Sequence, residues 1–441
     1  MAEPFPHWMH MSNKAEPMKK ESKRTLVPQR RFPEFRDEPG WLEKTGDKLF
    51  DQINDRNHAS SLPVLAITQE HGAIPRDMID YKVAVTKKSI KNYKVVQVGD
   101  FIISLRSFQG GIEYSKYHGI CSPAYVILRK CIDGSNAYFK HYLKTDRFIR
   151  ILTRNLEGLR DGKMISYKQF SEVSIPVPRP PEQNKIADCL SSLDELIAAE
   201  NRKLETLRDH KCGLMQRLFP QPGETQPRLR FPEFRGKGEW GKSPLGKLLS
   251  RKPEYGVNAP AVPFSKDLPA YIRITDIDDE GQFIKTNRVS VSIEVTEKNY
   301  LAEGDIALAR TGASVGKSYQ YRPKDGPLVF AGFLIRVRPN PKKLTPDFLT
   351  NYLGTWGYWD WVRINSVRGG QPGINGNEYS SLPIPLPPTG AKGNELAEQE
   401  KIADCLTALD TQITTQASKI EVLKQHKLGL MQQLFPEQEV Q

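Results

Sequence analysis

Two long stretches of the chain repeat one spacing of apolar positions. In residues 182–220, Ile186, Leu190, Leu193, Ile197, Glu200, Leu204, Leu207, Lys211, Leu214 and Leu218 follow steps of four and three. In residues 398–436, Ile402, Leu406, Leu409, Ile413, Gln416, Ile420, Leu423, Lys427, Leu430 and Leu434 do the same. A seam so narrow and regular predicts two helices that pair as a coiled coil, rather than two amphipathic helices docked separately. Each stretch carries Glu and Gln at its start and stops at the Pro of "LFP", as helix ends do. Both seams hold polar layers at the same two places, Glu200 and Lys211 in one and Gln416 and Lys427 in the other. The antiparallel register that puts Glu200 opposite Lys427 and Lys211 opposite Gln416 leaves no polar layer against leucine, and is the expected one.

The two stretches are copies of each other. Aligned without a gap, "EQNKIADCLSSLDELIAAENRKLETLRDHKCGLMQRLFP" and "EQEKIADCLTALDTQITTQASKIEVLKQHKLGLMQQLFP" share 23 of 39 positions. "RFPEFR" occurs at 31–36 and again at 230–235. Between these anchors the likeness fades but the outline persists: "VGDFIISLRS" parallels "EGDIALARTG", "YFKHYLKTDRFIRILTRN" parallels "FLTNYLGTWGYWDWVRIN" as a helix, and "VSIPVPRPPEQ" parallels "LPIPLPP". A repeat that keeps its helices and lets its globular parts drift predicts a common frame carrying two different readers. Because "LFP" at 218–220 leads within about ten residues to the second "RFPEFR", the C-terminal "LFP" ending at Pro436 is expected beside Arg31.

Composition narrows the partner. Sixty-four Lys and Arg against 52 Asp and Glu give a net charge of +12, which points to a polyanion such as nucleic acid. The expected helix overlap, from Leu193 to Leu218, spans about 25 residues or roughly 38 Å, near the ~34 Å of one turn of B-DNA. The five cysteines, Cys121, Cys131, Cys189, Cys212 and Cys405, form no C-x-x-C pair, and neither a disulfide framework nor a zinc site is expected. No signal peptide or spanning apolar run is evident, so a cytoplasmic protein is expected. Residues 1–28 mix Pro, Lys, Glu and Ser without periodicity and read as a mobile leader, in which His7 and His10 are incidental.

The repeated "EQ.KIADCL…GLMQ.LFP…RFPEFR" blocks, the "IPVP.PP" and "LPIPLPP" lead-ins and the loops "RTGASVGK" and "RGGQPGIN" resemble the specificity subunit of Type I restriction-modification systems, over nearly the whole chain from Arg30 to Pro436. The resemblance implies an α/β (α+β) chain of two target recognition domains joined by two long helices in an antiparallel coiled coil, with a pseudo-twofold internal repeat. It divides the sequence into a leader (1–28), a first recognition domain (29–179), a central helix (180–220), a linker (221–229), a second recognition domain (230–389), an insertion (390–397), a C-terminal helix (398–436) and a tail (437–441). It further implies a non-catalytic DNA-binding subunit whose domains each read half of a bipartite asymmetric site, with two modification subunits and restriction subunits as partners. S-adenosylmethionine, ATP and magnesium would belong to those partners, and no cofactor or metal is expected in this chain. The residues agree: the chain has no [DN]-P-P-[FYW] methyltransferase motif, and its "PD" at Pro346–Asp347 lacks the E-x-K of a nuclease.

Base reading needs donors and acceptors on exposed loops, with other cations on phosphates. In the first domain the polar, glycine-bearing loops offer Gln69, Arg76, Arg106, Gln109, Lys116, Arg160 and Lys163. In the second they offer Arg273, Asp276, Arg310, Ser314, Lys317, Arg368, Gln371 and Asn375, of which Asp276 could equally cap its own turn. Gly110, Gly111, Gly369 and Gly370 are expected to shape turns. The aromatics of "WGYWDW" (356–361) read as helix core or as a partner-facing patch, and His210 and His426 as packing at the edge of the helical seam.

One competing motif is "TGASVGKS", residues 311–318, which nearly matches a Walker loop and would make the chain a nucleotide-binding enzyme. Gly316, Lys317 and Ser318 fit, but Thr311 holds the first glycine position. A Walker loop opens a helix, whereas "SYQYRPKDGPLVF" reads as turn and strand. The counterpart loop "RSFQGGIEYSK" keeps a leading Arg and lacks Gly-Lys-Ser, which suits a DNA-reading loop better than a nucleotide pocket. A scaffold that only dimerises other proteins would not explain why charge excess and divergent loops coincide.

Overall fold

The computed structural model describes residues 26–58, 61–79, 90–154, 165–389 and 396–437. The chain forms two compact units, one of residues 1–198 with 421–441, the other of residues 199–420. The boundary runs through the long helices rather than around them, so each globular domain carries the start of one helix and the end of the other. The helices span Pro180–Leu218 and Ala397–Leu434.

In the first unit a four-stranded antiparallel sheet runs in the order Phe50–Ile53, Val126–Lys130, Phe101–Ile103, Glu113–Tyr114, with Ile102 opposite Ile127. Leu42–Thr45 pairs with Ser174–Val177, the strand that leads into the first long helix. The sheet packs on helices Asn136–Tyr142 and Asp146–Thr153, whose N-caps Ser135 and Thr145 each accept a backbone N–H. The core is aromatic: Phe50 meets Phe101, Phe139 and Phe170 edge-on at 5.1 to 5.7 Å. Ile186 and Leu190 from the first long helix and Leu434 and Phe435 from the end of the second complete it.

The second unit repeats this plan. Glu254–Tyr255, Leu334–Val337, Ile306–Ala309 and Ser318–Gln320 form the corresponding sheet in the same order, with Leu308 opposite Ile335. Gly241–Pro244 pairs with Pro383–Leu386 as Leu42–Thr45 does with Ser174–Val177. Phe219, Trp240 and Phe348 pack with Ile402 and Leu406 from the start of the second long helix. This domain also holds a second four-stranded sheet, built from Ala261–Pro263, Val289–Val291, Ala270–Ile272 and Leu328–Phe330.

Arginine clamps repeat with the fold. Arg31 donates a two-pronged bond to Glu182 at 2.7 Å, and Arg230 does the same to Glu398 at 2.7 and 2.8 Å, so each "RFPEFR" is fastened to the first turn of a long helix. The Arg30 N–H donates to the Gln433 carbonyl at 2.9 Å, and Arg147 donates to the Pro436 carbonyl, so the end of the second helix lies beside Arg31 as expected. Leu26 pairs with Trp41, which places at least this residue of the expected leader in the fold.

All twenty seam positions are buried or half-buried. Their register is not the expected one. The Gln416 amide donates to the Glu200 carboxylate at 2.6 Å, with Lys419 as a second donor, and these bonds hold the Glu200 carboxyl below its ordinary range. Lys211 pairs with Asp410 at 2.6 Å, and Lys427 pairs with Asp194. Glu200 therefore faces its own counterpart in the repeat, three seam positions from Lys427, and both seam lysines turn aside to flanking aspartates. In the first unit Lys140 and His141 join the Lys427–Asp194 pair. Burial and the charges of Lys427 and Lys140 drive His141 down to about 3, so the ring is neutral and bonds Ser191 at 3.1 Å.

Candidate nucleic-acid interface

The strand Ile306–Ala309 delivers its chain directly into the 310–317 loop. Buried Asp305 anchors this region by accepting from Arg338 at 2.5 and 2.7 Å while its Oδ2 caps Ala302 N–H at 2.9 Å. Asp100 with Arg129 is the first-domain equivalent, at 2.8 and 2.9 Å. With these aspartates superposed, Arg310 corresponds to Leu105 and Arg106 to Thr311. The two strands pair in the same register, Phe101 opposite Leu128 and Ile306 opposite Val337, and the two loops do not share their leading Arg because it stands one residue later in the first.

The 310–317 loop packs on the 368–377 loop. Thr311 bridges Gly373, Gly312 N–H donates to Pro372 O at 2.9 Å, and Ile374 N–H donates to Arg310 O at 2.9 Å. Gly316 has a φ of +89°, and a Cβ there would lie 2.8 Å from Val362, so the turn requires glycine. After it the chain enters the strand Ser318–Gln320 rather than a helix. Lys317 Nζ bonds Asp279 Oδ1 at 2.6 Å, which also brings the 273–282 loop to the same surface. The loop therefore lacks the geometry of a Walker cradle, because a strand and not a helix N-terminus follows it.

The candidate residues divide by how their polar groups are engaged. Arg273 and Asp276 are bound to each other at 2.7 and 2.9 Å, with buried Asp276 also capping the Arg273 N–H, so Asp276 caps its own turn. Asn375 Oδ1 caps the helix Gly376–Ser381, and Arg368 bonds Glu378 at 2.5 Å. Gln371 is exposed, Ser314 is half-buried and Arg310 lies over the ring of Tyr255 at 5.0 Å. In the first domain Gln69 donates to the Arg106 carbonyl at 3.4 Å, and Ala73 bridges Ser115, which brings the 68–77 and 106–119 loops together. They border a cleft of about 680 Å³ lined by Thr68, Gln69, Met78, Leu105, Arg106 and Tyr125 among others. Gln109 and Lys116 are exposed, and Arg76 is half-buried with one buried Nη that has no acceptor. Arg160 and Lys163 lie outside the described residues.

Sequence reasoning missed the apolar part of this surface. Leu105 (53% exposed) and Met78 (62%) stand beside the first cluster, and Tyr255 (49%) and Phe333 (57%) beside the second. A readable signal existed for Phe333 in the glycine before it, "AGF", at a strand entry. The "WGYWDW" segment is divided, with Tyr358 buried, Trp359 40% exposed and Trp356 61% exposed. His210 and His426 are exposed on the long helices. Among the described residues no group of His, Cys, Asp or Glu could hold a metal ion, and no helix is long and apolar enough to cross a membrane.

A repeated helical frame with two divergent loop clusters defines a two-domain recognition protein. The family model for the Type I restriction modification DNA specificity domain matches residues 46–209 and 250–425, once per repeat, and the chain belongs to that family. It is 25% identical over 374 residues to the Type I restriction enzyme MjaVIII specificity subunit of Methanocaldococcus jannaschii, covering 82% of this chain and 83% of that one. A second match in the same organism, to the specificity subunit ascribed to the Type I enzyme MjaX, is 33% identical over 141 residues, and the chain spans only about a third (32%) of that relative's length. The crystal structure of the Type I restriction-modification S subunit from M. genitalium shares the fold, with a TM-score of 0.55 at 15% identity over 94% of this chain and all of that one.

Proposed function

We propose that each domain reads one half of a bipartite, asymmetric DNA site through its loop cluster, while the paired helices set the separation of the half-sites and dock two modification subunits. Catalysis, S-adenosylmethionine, ATP and magnesium belong to the modification and restriction subunits, and the protein acts in the cytoplasm without a reaction of its own. The observation that carries this reading is the contrast within the repeat: the Asp100–Arg129 and Asp305–Arg338 anchors recur while the loops they position differ in residues and shape. A conserved chemistry would hold its site constant in both copies, whereas two half-sites demand two readers. Deleting the gene and sequencing the host genome for methylation should abolish one bipartite motif. A methylome unchanged by the deletion would refute the proposal.

Lys317 is assigned to the DNA backbone. Its partner Asp279 is exposed and the pair is weakened by solvent, so a phosphate can displace the carboxylate readily. Lys317→Ala in the complex with modification subunits should weaken binding about equally on all duplexes and lower the salt slope by roughly one. A changed methylation motif would contradict that role.

A further inference from the structure

The candidate cations of the second domain are not equivalent. Arg273 is bound to Asp276, Arg368 to Glu378 and Lys317 to Asp279. Among the described residues Arg310 has no carboxylate partner: its Nη1 reaches the Gly332 carbonyl only at 3.5 Å, and its buried Nε has no acceptor. With no carboxylate engaging it, the outer edge of the Arg310 guanidinium keeps donors for an acceptor on a ligand.

The backbone of Arg310 is fixed on both sides. Its backbone N–H donates to Phe333 O at 3.0 Å and its carbonyl accepts from Ile374 N–H at 2.9 Å, fixing it between a strand entry and the 368–377 loop. The guanidinium lies on the Tyr255 ring, and the Tyr255 hydroxyl accepts from Gly376 N–H at 2.9 Å, so the ring is fixed in turn. Phe333, more than half exposed, stands on the adjoining residue of the same hydrogen-bonded corner. A planar fork held by a rigid aromatic, with free donors and an exposed apolar neighbour, has the chemistry to read a guanine edge through O6 and N7 and to meet a neighbouring thymine methyl.

We infer that Arg310, braced by Tyr255 and flanked by Phe333, is the guanine-reading side chain of the second domain, so the half-site read by that domain contains guanine. This rests on the DNA-reading function proposed above. The phosphate contact assigned to Lys317 is a separate interaction, since that residue is paired with the exposed carboxylate of Asp279.

The test uses the full chain with its modification subunits and duplexes bearing the methylated motif, in which each guanine in turn is replaced by 7-deazaguanine. One position is expected to lose affinity about 10- to 100-fold when N7 is removed, as a bidentate base contact should. Arg310→Gln should bind the unmodified duplex more weakly by a similar factor and no longer respond to deazaguanine at that position, while responses elsewhere persist. Arg310→Lys, which keeps the charge, should lose most of the discrimination; Phe333→Ala should relax preference at the adjacent step without changing the melting temperature. The inference fails if Arg310→Gln weakens all duplexes equally and retains the full deazaguanine response, or if Arg310→Lys behaves as wild type, either of which marks a phosphate contact. Absence of any motif-specific binding by the wild-type complex would instead defeat the DNA-reading function itself.

Discussion

Arg230→Met is expected to lower the unfolding free energy of the unit formed by residues 199–420 by about 3–5 kcal/mol. Arg230 and Glu398 are 8% and 5% exposed, and the guanidinium also donates to the Gly238 carbonyl at 2.7 Å. Removing the cation strands a buried carboxylate and unfastens the "RFPEFR" segment from the first turn of the second long helix. Guanidinium denaturation followed by tryptophan fluorescence reads this directly, since Trp240, Trp356, Trp359 and Trp361 all lie in this unit. Pairing Arg230→Met with Glu398→Leu should recover much of the loss, because no buried charge then remains unpaired. An unshifted Arg230→Met transition would show that the clamp does not hold this unit together. Arg31 and Glu182 make the same clamp in the first unit, and Arg31→Met should act there in the same direction.

The second large effect concerns pH. Glu113 is buried beneath the 68–72 loop and paired with Lys144, which also donates to the Gln69 carbonyl at 3.4 Å. Desolvation pushes its carboxyl up from 4.5 to about 7, outweighing the attraction of Lys144 that pulls it down, and one carboxylate oxygen has no donor. The folded state therefore binds a proton that the unfolded chain releases between pH 4.5 and 7. The stability contributed by the protonated form is fully present below pH 4.5 and is lost as pH rises through about 7. At pH 8 the ionised, buried group costs about 3 kcal/mol. Glu113→Gln, isosteric and uncharged, should stabilise the first unit by up to that amount at pH 8 and change little at pH 4.5. Thermal melts of both proteins across this range provide the check, and a stabilisation independent of pH would exclude titration of Glu113 as its cause.

Much of the frame was legible in the chain because local rules specify it. The four-three spacing from Ile186 to Leu218 marks a buried stripe whatever the helix packs against, and the repeat of that spacing supplies the partner. Helix register was not legible. Avoiding polar residues opposite leucine seemed sufficient, but a seam lysine carries a long stem, and Lys211 and Lys427 leave the seam for Asp410 and Asp194. Their need for partners then constrains nothing at the seam itself, and Glu200 is free to meet Gln416.

The loop clusters divide in the same way. Sequence identified the polar loops and the glycines that bend them, and the structure brings 310–317 against 368–377 as two loops of one reader would require. Which polar side chains remain available was decided only by contacts distant in sequence or by local caps. Asp276 and Asn375 are consumed by their own turns, Lys317 meets Asp279 across 38 positions, and Arg310 rests on Tyr255 from a strand far upstream. Exposed Leu105 was invisible for the opposite reason, since an apolar residue just past a strand normally announces core.

By itself the sequence determined that this protein is a duplicated frame of two seamed helices carrying two unlike domains, because periodicity, repeat and helix ends are properties of neighbouring residues. The tertiary structure alone decided the register of the helices, the identity of the buried clamps and, among the described residues, which candidate cation of the second domain is left without a carboxylate, because pairing of charges depends on side-chain reach across the fold.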